Sequence, residues 1–101
     1  MIKIRSLLLL VVISSLPLVS HAAGDAAAGK AKSATCAACH GAEGISANDL
    51  WPNLAGQKPG YLTKQMKAFR DGDRKDPMMS PMSATLTDED IANLTAYFSS
   101  L

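Results

Sequence analysis

Five consecutive residues near the middle of the chain, Cys36-Ala37-Ala38-Cys39-His40, carry the most specific chemistry in the sequence. Two thiols separated by two small residues, with an imidazole directly after the second, form the attachment sequence for c-type haem. Each thiol can add across one vinyl group of a porphyrin to give a thioether. His40 would then lie beneath the ring, with Nε2 available to iron from the proximal side. Ala37 and Ala38 suit the position between the links, because that loop lies against the macrocycle edge and has no room for bulk.

Two other chemistries use similar residues. A zinc site needs about four ligands, and Cys36, Cys39 and His40 give three crowded ones with no second cluster. A CxxC redox disulfide belongs in a βαβ pattern, which is absent here. Neither accounts for a methionine-rich loop further along the chain.

Iron held by His40 needs a second axial ligand. The only other histidine, His21, lies in a leader-like stretch. Lys3 and Arg5 form a positive start, residues 7–13 an apolar run, and Pro17 a break. Ser20-His21-Ala22 then places small residues at the third and last positions before a cut. This is the pattern of a secretory signal peptide cleaved after Ala22, so residues 1–22 are expected to be removed and 23–101 to form the domain. As a membrane anchor the apolar run is too short to cross ~30 Å comfortably, so no stable membrane insertion is expected after cleavage. The remaining 79 residues hold eight basic against nine acidic residues, and haem propionates would add further negative charge. Nucleic-acid binding has no electrostatic support. A domain this small draws only ~3–5 kcal/mol from a single core and usually needs a staple, which a large apolar cofactor would provide.

The elements that must position the motif read as helices and loops. Asp25 is a good N-cap and alanines follow, so a helix over about 26–35 is expected to deliver Cys36. Gly29 within it costs ~1 kcal/mol relative to Ala, which close approach of another element would compensate. Residues 41–57 lack helical or alternating periodicity and read as an ordered loop carrying Leu50, Trp51 and Leu54, apolar enough to pack on a porphyrin. Pro52 in that loop offers a carbonyl without an N–H. A carbonyl accepting from Nδ1–H of His40 would fix the tautomer and raise the basicity of the ring. From Pro59 to about Asp71 the pattern is helical, with Leu62, Met66 and Phe69 on one face, Lys64, Lys67 and Arg70 on another, and Gly72 as the stop. Residues 73–85 read as a proline-broken loop. Thr87-Asp88-Glu89-Asp90 is a capping box that opens a last helix with Ile91, Leu94, Phe98 and Leu101 on its apolar face and Tyr97 beside it. No stretch alternates as a strand, so the fold is expected to be all-α, three principal helices and loops around one cofactor.

Methionine thioether is the natural second ligand, and His/Met ligation raises the reduction potential. Met66 reads as a core residue. Met78, Met79 and Met82 remain, and spacing alone does not separate them.

The CAACH motif, WPNLAGQ, YLTKQMKAFRDGDR and PMMSPMSATLTDEDIANLTAYF together resemble a bacterial class I cytochrome c, most nearly one half of the dihaem periplasmic cytochromes of that class. The resemblance covers essentially all of residues 23–101. It implies the cytochrome c fold, one covalent haem c and periplasmic electron transfer. In those relatives the axial methionine lies seven residues before the leucine preceding the last helix's capping residue. Here that leucine is Leu86, which implies Met79. The resemblance also implies that Pro52 gives its carbonyl to His40, and that Gly29 lies where the first helix crosses the last, near Tyr97. A single CxxCH is present, so one haem is expected rather than two.

With both axial positions filled, the protein is expected to be an electron carrier and not an enzyme. It would dock transiently between a quinol-oxidising complex or periplasmic dehydrogenase and a terminal oxidase or reductase. Alternatives are a haem subunit of a larger dehydrogenase, and a haem enzyme or gas sensor with a labile axial site.

Overall fold

The computed structural model describes residues 9–16 and 24–101. Lys3, Arg5, Pro17 and Ser20-His21-Ala22, on which the leader reading rests, lie outside the described residues. Residues 9–16 have no regular secondary structure and are exposed. Among the described residues there is no strand, and no helix is long and apolar enough to cross a membrane.

Five helices follow in chain order: α1 (Ala26–Lys32), α2 (Ala37–His40), α3 (Pro59–Asp71), α4 (Met79–Ser83) and α5 (Asp88–Ser99). Asp25 caps α1, its carboxylate accepting from the amides of Ala27 and Ala28 at 2.9 and 3.3 Å. The expected single helix over 26–35 instead tightens into a 3-10 turn over Ser33–Thr35. Hydroxyls explain the change. Ser33 Oγ donates to the Lys30 carbonyl at 2.7 Å, a local bond that competes with regular helix continuation. The tight turn then feeds α2, which carries Cys39 and His40.

α5 is the element on which both α1 and α3 pack. Thr87 and Asp90 make the reciprocal bonds of a capping box, both 3.0 Å. Its apolar face buries Ile91, Leu94, Tyr97 and Phe98, and Leu62 of α3 joins Leu94, Tyr97 and Phe98 in the main cluster. Leu101, expected on that face, is instead past the helix end and exposed, while Tyr97 is fully part of the core. α1 crosses α5 with almost no space between backbones. A Cβ added at Gly29 would meet the Asn93 carbonyl, its carbon at 2.6 Å, and Tyr97 Cβ at 2.8 Å. The Asn93 side chain also accepts from the Asp25 amide at 2.8 Å, fixing the start of α1 on α5.

α3 lies along α5 and α4. Thr63 and Thr95 hydroxyls meet at 3.1 Å, and Arg70 reaches Asp88 at 2.7 Å and the Leu86 carbonyl at 3.3 Å. Gly72, at φ 89°, ends α3 in the left-handed region that a glycine adopts without strain. Residues 73–85, expected as loop throughout, contain the five-residue helix α4. Its Pro81 falls in the first turn, where a missing N–H removes no intrahelical bond, so proline is tolerated there.

Candidate functional site

The motif residues share one helical turn. His40 N–H donates to the Cys36 carbonyl at 2.9 Å, and Gly41 N–H to that of Ala37. Both cysteines are free and half-buried, while His40 is 6 % exposed. Burial pushes the Cys36 thiol above its ordinary range, partly offset by a hydrogen bond from Thr35 and the Lys32 charge, so the thiol stays protonated at neutral pH. Cys36 also packs against the Leu62, Leu94, Tyr97 and Phe98 cluster, together with Leu54, Met66 and Leu86.

His40 is oriented from the following loop. Its Nδ1 donates to the Pro52 carbonyl at 2.8 Å, the tautomer that leaves Nε2 with a lone pair for a metal. The loop that presents Pro52 is ordered by its own backbone. Gly41 turns away from α2 at φ 87°, and the buried Gly44 accepts from the amides of Leu54 and Ala55 at 2.8 and 3.0 Å. Asn53 accepts from the Ser46 amide at 2.8 Å, and Gly56 N–H donates to Phe98 at 2.9 Å, tying the loop to α5. Leu54 packs on the core. Trp51 and Leu50 lie at the polypeptide surface, 36 % and 84 % exposed.

The methionines occupy different environments. Met66 is half-buried against the core cluster. Met78 and Met82 are 56 % and 46 % exposed, whereas Met79 is half-buried at the start of α4. Asp76 Oδ1 accepts from the amides of both Met78 and Met79 at 2.8 Å. Those two bonds, with a smaller contribution from Arg74, hold the Asp76 carboxyl below the usual carboxylate range. Upstream, the Arg74 guanidinium lies 4.5 Å from the Phe69 ring centroid and donates to Gln65 at 2.8 Å, which fixes the chain as it leaves α3. Sequence reasoning missed Asp76 and the Arg70 tether. The signal for the first was present, since Asp-Pro followed by Ser80 is a turn and helix-start pattern.

These residues fit a covalent haem. Two thiols stand on one turn, a buried imidazole has one nitrogen committed to a carbonyl, and apolar Leu54, Met66 and Leu86 pack on the same core cluster as Cys36. The two described grooves lie elsewhere. One, about 530 Å³, runs between α3 and α5, and the other, about 550 Å³, between α1 and α5. Among the described residues no group of three or more His, Cys, Asp or Glu side chains is placed to hold a metal ion.

Comparison with known proteins agrees with this chemistry. The cytochrome c family model matches residues 26–101. Cytochrome c-554(548) of Halomonas halodenitrificans is 52% identical over 81 residues, covering 77% of this chain and 98% of that protein. Cytochrome c4 of Pseudomonas aeruginosa is 51% identical over 82 residues, 81% of this chain but only 41% of its own length. The crystal structure of reduced cytochrome c4 from Pseudomonas stutzeri superposes with a TM-score of 0.73 at 42% identity, over 77% of this chain and 46% of that one. The chain thus spans about half or less of the length of the c4 proteins it matches. It belongs to the cytochrome c family, as a bacterial class I c-type cytochrome that resembles one half of dihaem cytochrome c4, holds one covalent haem c and carries electrons.

Proposed function

We propose that His40 and Met79 are the two axial ligands of a haem linked through Cys36 and Cys39, and that the protein is a periplasmic electron shuttle with no open site for a substrate. Haem c supplies a one-electron ferric–ferrous couple. The observation that carries the reading is the buried His40 with Nδ1 bonded to Pro52 at 2.8 Å, because it leaves Nε2 for iron. Cys36 and Cys39 would hold the cofactor to the same turn that bears this ligand, which would restrain the ring relative to the imidazole. Leu54, which packs on the core, and Trp51 at the loop surface would cover the cofactor and limit access of water.

Met79 is favoured as the distal ligand because it is half-buried with a bonded backbone amide, while Met78 and Met82 are exposed. Fixed ligands on both sides keep the iron site similar in both oxidation states, which favours rapid transfer. The partners are transient redox proteins: a quinol-oxidising complex or periplasmic dehydrogenase as donor, and a terminal oxidase or reductase as acceptor. Export follows from cleavage of residues 1–22 after Ala22.

Carbon monoxide added to the reduced protein tests the closed site. Wild type should resist it, and Met79→Ala should bind it and lose the weak long-wavelength ferric band of sulfur–iron bonding. Met78→Ala and Met82→Ala should keep that band. Loss of the band in Met82→Ala alone would transfer the assignment to Met82 and sink this one.

A further inference from the structure

We infer that Asp76 is a positioning residue for the distal ligand, holding Met79 through a carboxylate cap on the first turn of α4. The inference rests on Met79 as that ligand. A thioether on a side chain with three rotatable bonds cannot fix its own sulfur, so the backbone that carries it must be held. α4 is poorly equipped to hold itself. It has five residues, too few to repay the cost of starting a helix, and its flanking Met78 gives no side-chain cap.

Asp76 supplies what is missing. Its Oδ1 accepts from the amides of Met78 and Met79, both at 2.8 Å. Its own N–H donates to Ser80 Oγ at 3.0 Å, and Ser80 N–H returns to the Asp76 carbonyl at 3.0 Å. Four bonds therefore close the segment 76–80 on itself, with the Met79 amide inside the ring of contacts. Pro77 stiffens the same turn by fixing its own φ. No other side chain of the described residues bonds the Met79 amide.

The test uses the haem-loaded protein and four variants, Asp76→Ala, Asp76→Asn, Ser80→Ala and Met79→Ala. Readouts are the long-wavelength ferric band with temperature, the rate of carbon monoxide binding to the reduced form, the reduction potential, and global melting by circular dichroism. Loss of a cap shifts such an equilibrium about five- to thirty-fold, so Asp76→Ala should bind carbon monoxide faster by that factor. Its ferric band should also vanish at a temperature below global melting. Asp76→Asn keeps an oxygen that accepts both amides and should behave as wild type. If Asp76→Ala does not load haem, Ser80→Ala carries the test, with an expected acceleration of about two- to five-fold from one lost bond. Wild-type behaviour of Asp76→Ala, or of Ser80→Ala in its place, would overturn the positioning role, provided Met79→Ala loses its band. An Asp76→Asn that matches Asp76→Ala would overturn its hydrogen-bonding basis. A Met79→Ala protein that keeps the band removes the ligand assignment instead, whatever Asp76→Ala does.

Discussion

Replacing Gly29 by alanine sets two effects of known sign against each other. In an open helix the change is favourable by ~1 kcal/mol, because alanine loses less backbone freedom on folding. At this crossing the new Cβ would stand 2.6 Å from the Asn93 carbonyl carbon and 2.8 Å from Tyr97 Cβ. Ordinary contact begins near 3.4 Å and the Asn93 carbonyl oxygen is nearer still than its carbon, so α1 and α5 must separate by more than an ångström. The obstacle is backbone of α5 and not the end of a flexible side chain, so it cannot swing aside. Overpacking typically costs ~1–3 kcal/mol and sometimes more. With an obstacle this rigid the cost falls at the upper end, and a net loss of ~2 kcal/mol remains after the helix gain. For a domain of this size that lowers Tm by roughly 8–16 °C. Gly60 is the internal control. It lies in the first turn of α3, and a Cβ there meets nothing within 4 Å, so Gly60→Ala should gain ~0.4–1 kcal/mol. Thermal unfolding of the haem-loaded proteins by circular dichroism reads both. The reasoning fails if Gly29→Ala melts at or above wild type, for then the close crossing of α1 and α5 does not govern stability.

Other consequences concern the helix ends that hold the ligand segments. Thr87→Ala removes one half of the α5 capping box and should cost ~0.5–2 kcal/mol in urea unfolding, while Thr87→Ser should recover most of it. Arg70→Ala frees the Leu86 carbonyl and Asp88 from α3, and Arg70→Lys should not rescue it, because an ammonium lacks the planar fork that reaches Asp71, Asp88 and Leu86 together. A lower Tm in both variants checks this. Acid should weaken the fold through the same residues. Arg70 holds the Asp88 carboxyl below its ordinary 3.8, and the Thr87 amide does the same for Asp90. Depressed folded values mean that this stability is present above the unfolded value and is lost as pH falls through the folded ones. Urea midpoints followed as pH falls below the ordinary 3.8 should therefore drop, and Arg70→Ala should drop less steeply, since its Asp88 returns toward the unfolded value.

Much of this architecture was legible in the residues because its causes are local. The 36–40 spacing, the Thr87–Asp90 box and Pro59 with Gly72 each act within one or two turns of chain, and each element forms where those signals stand. Gly29 was legible as a cost needing compensation, and the crossing with Asn93 and Tyr97 is the compensation found. What escaped depended on contacts across the chain or on short polar geometry. Proline-rich 73–85 hid α4, because Pro77 and Pro81 read as breakers although both sit where no helical N–H is needed. Ser33 broke the first helix through one hydroxyl bond that propensity scales average away. Arg70 looked like part of a solvated basic stripe. Its tie to Leu86 and Asp88 joins residues 16 and 18 positions apart, which no periodicity within α3 can reveal.

The two halves of the proposed iron site are held by different kinds of force, and the difference has a direction. On the His40 side the imidazole is itself buried, 6 % exposed, with the Pro52 carbonyl 2.8 Å from Nδ1 and a loop whose backbone bonds run through the buried Gly44. Burial of the imidazole and of Gly44 shelters these bonds in part from water, which strengthens them. On the Met79 side the supports are the half-buried Asp76 cap and an Arg70–Asp88 tether that competes with solvent, around a five-residue helix. Two cysteine links on the His40 side add covalent restraint there and none at Met79. In the proposed site, strain from heat, urea or acid would therefore reach the thioether before the imidazole. With Met79 as ligand, the haem and His40 would stay fixed and the second ligand would be the adjustable part of the site.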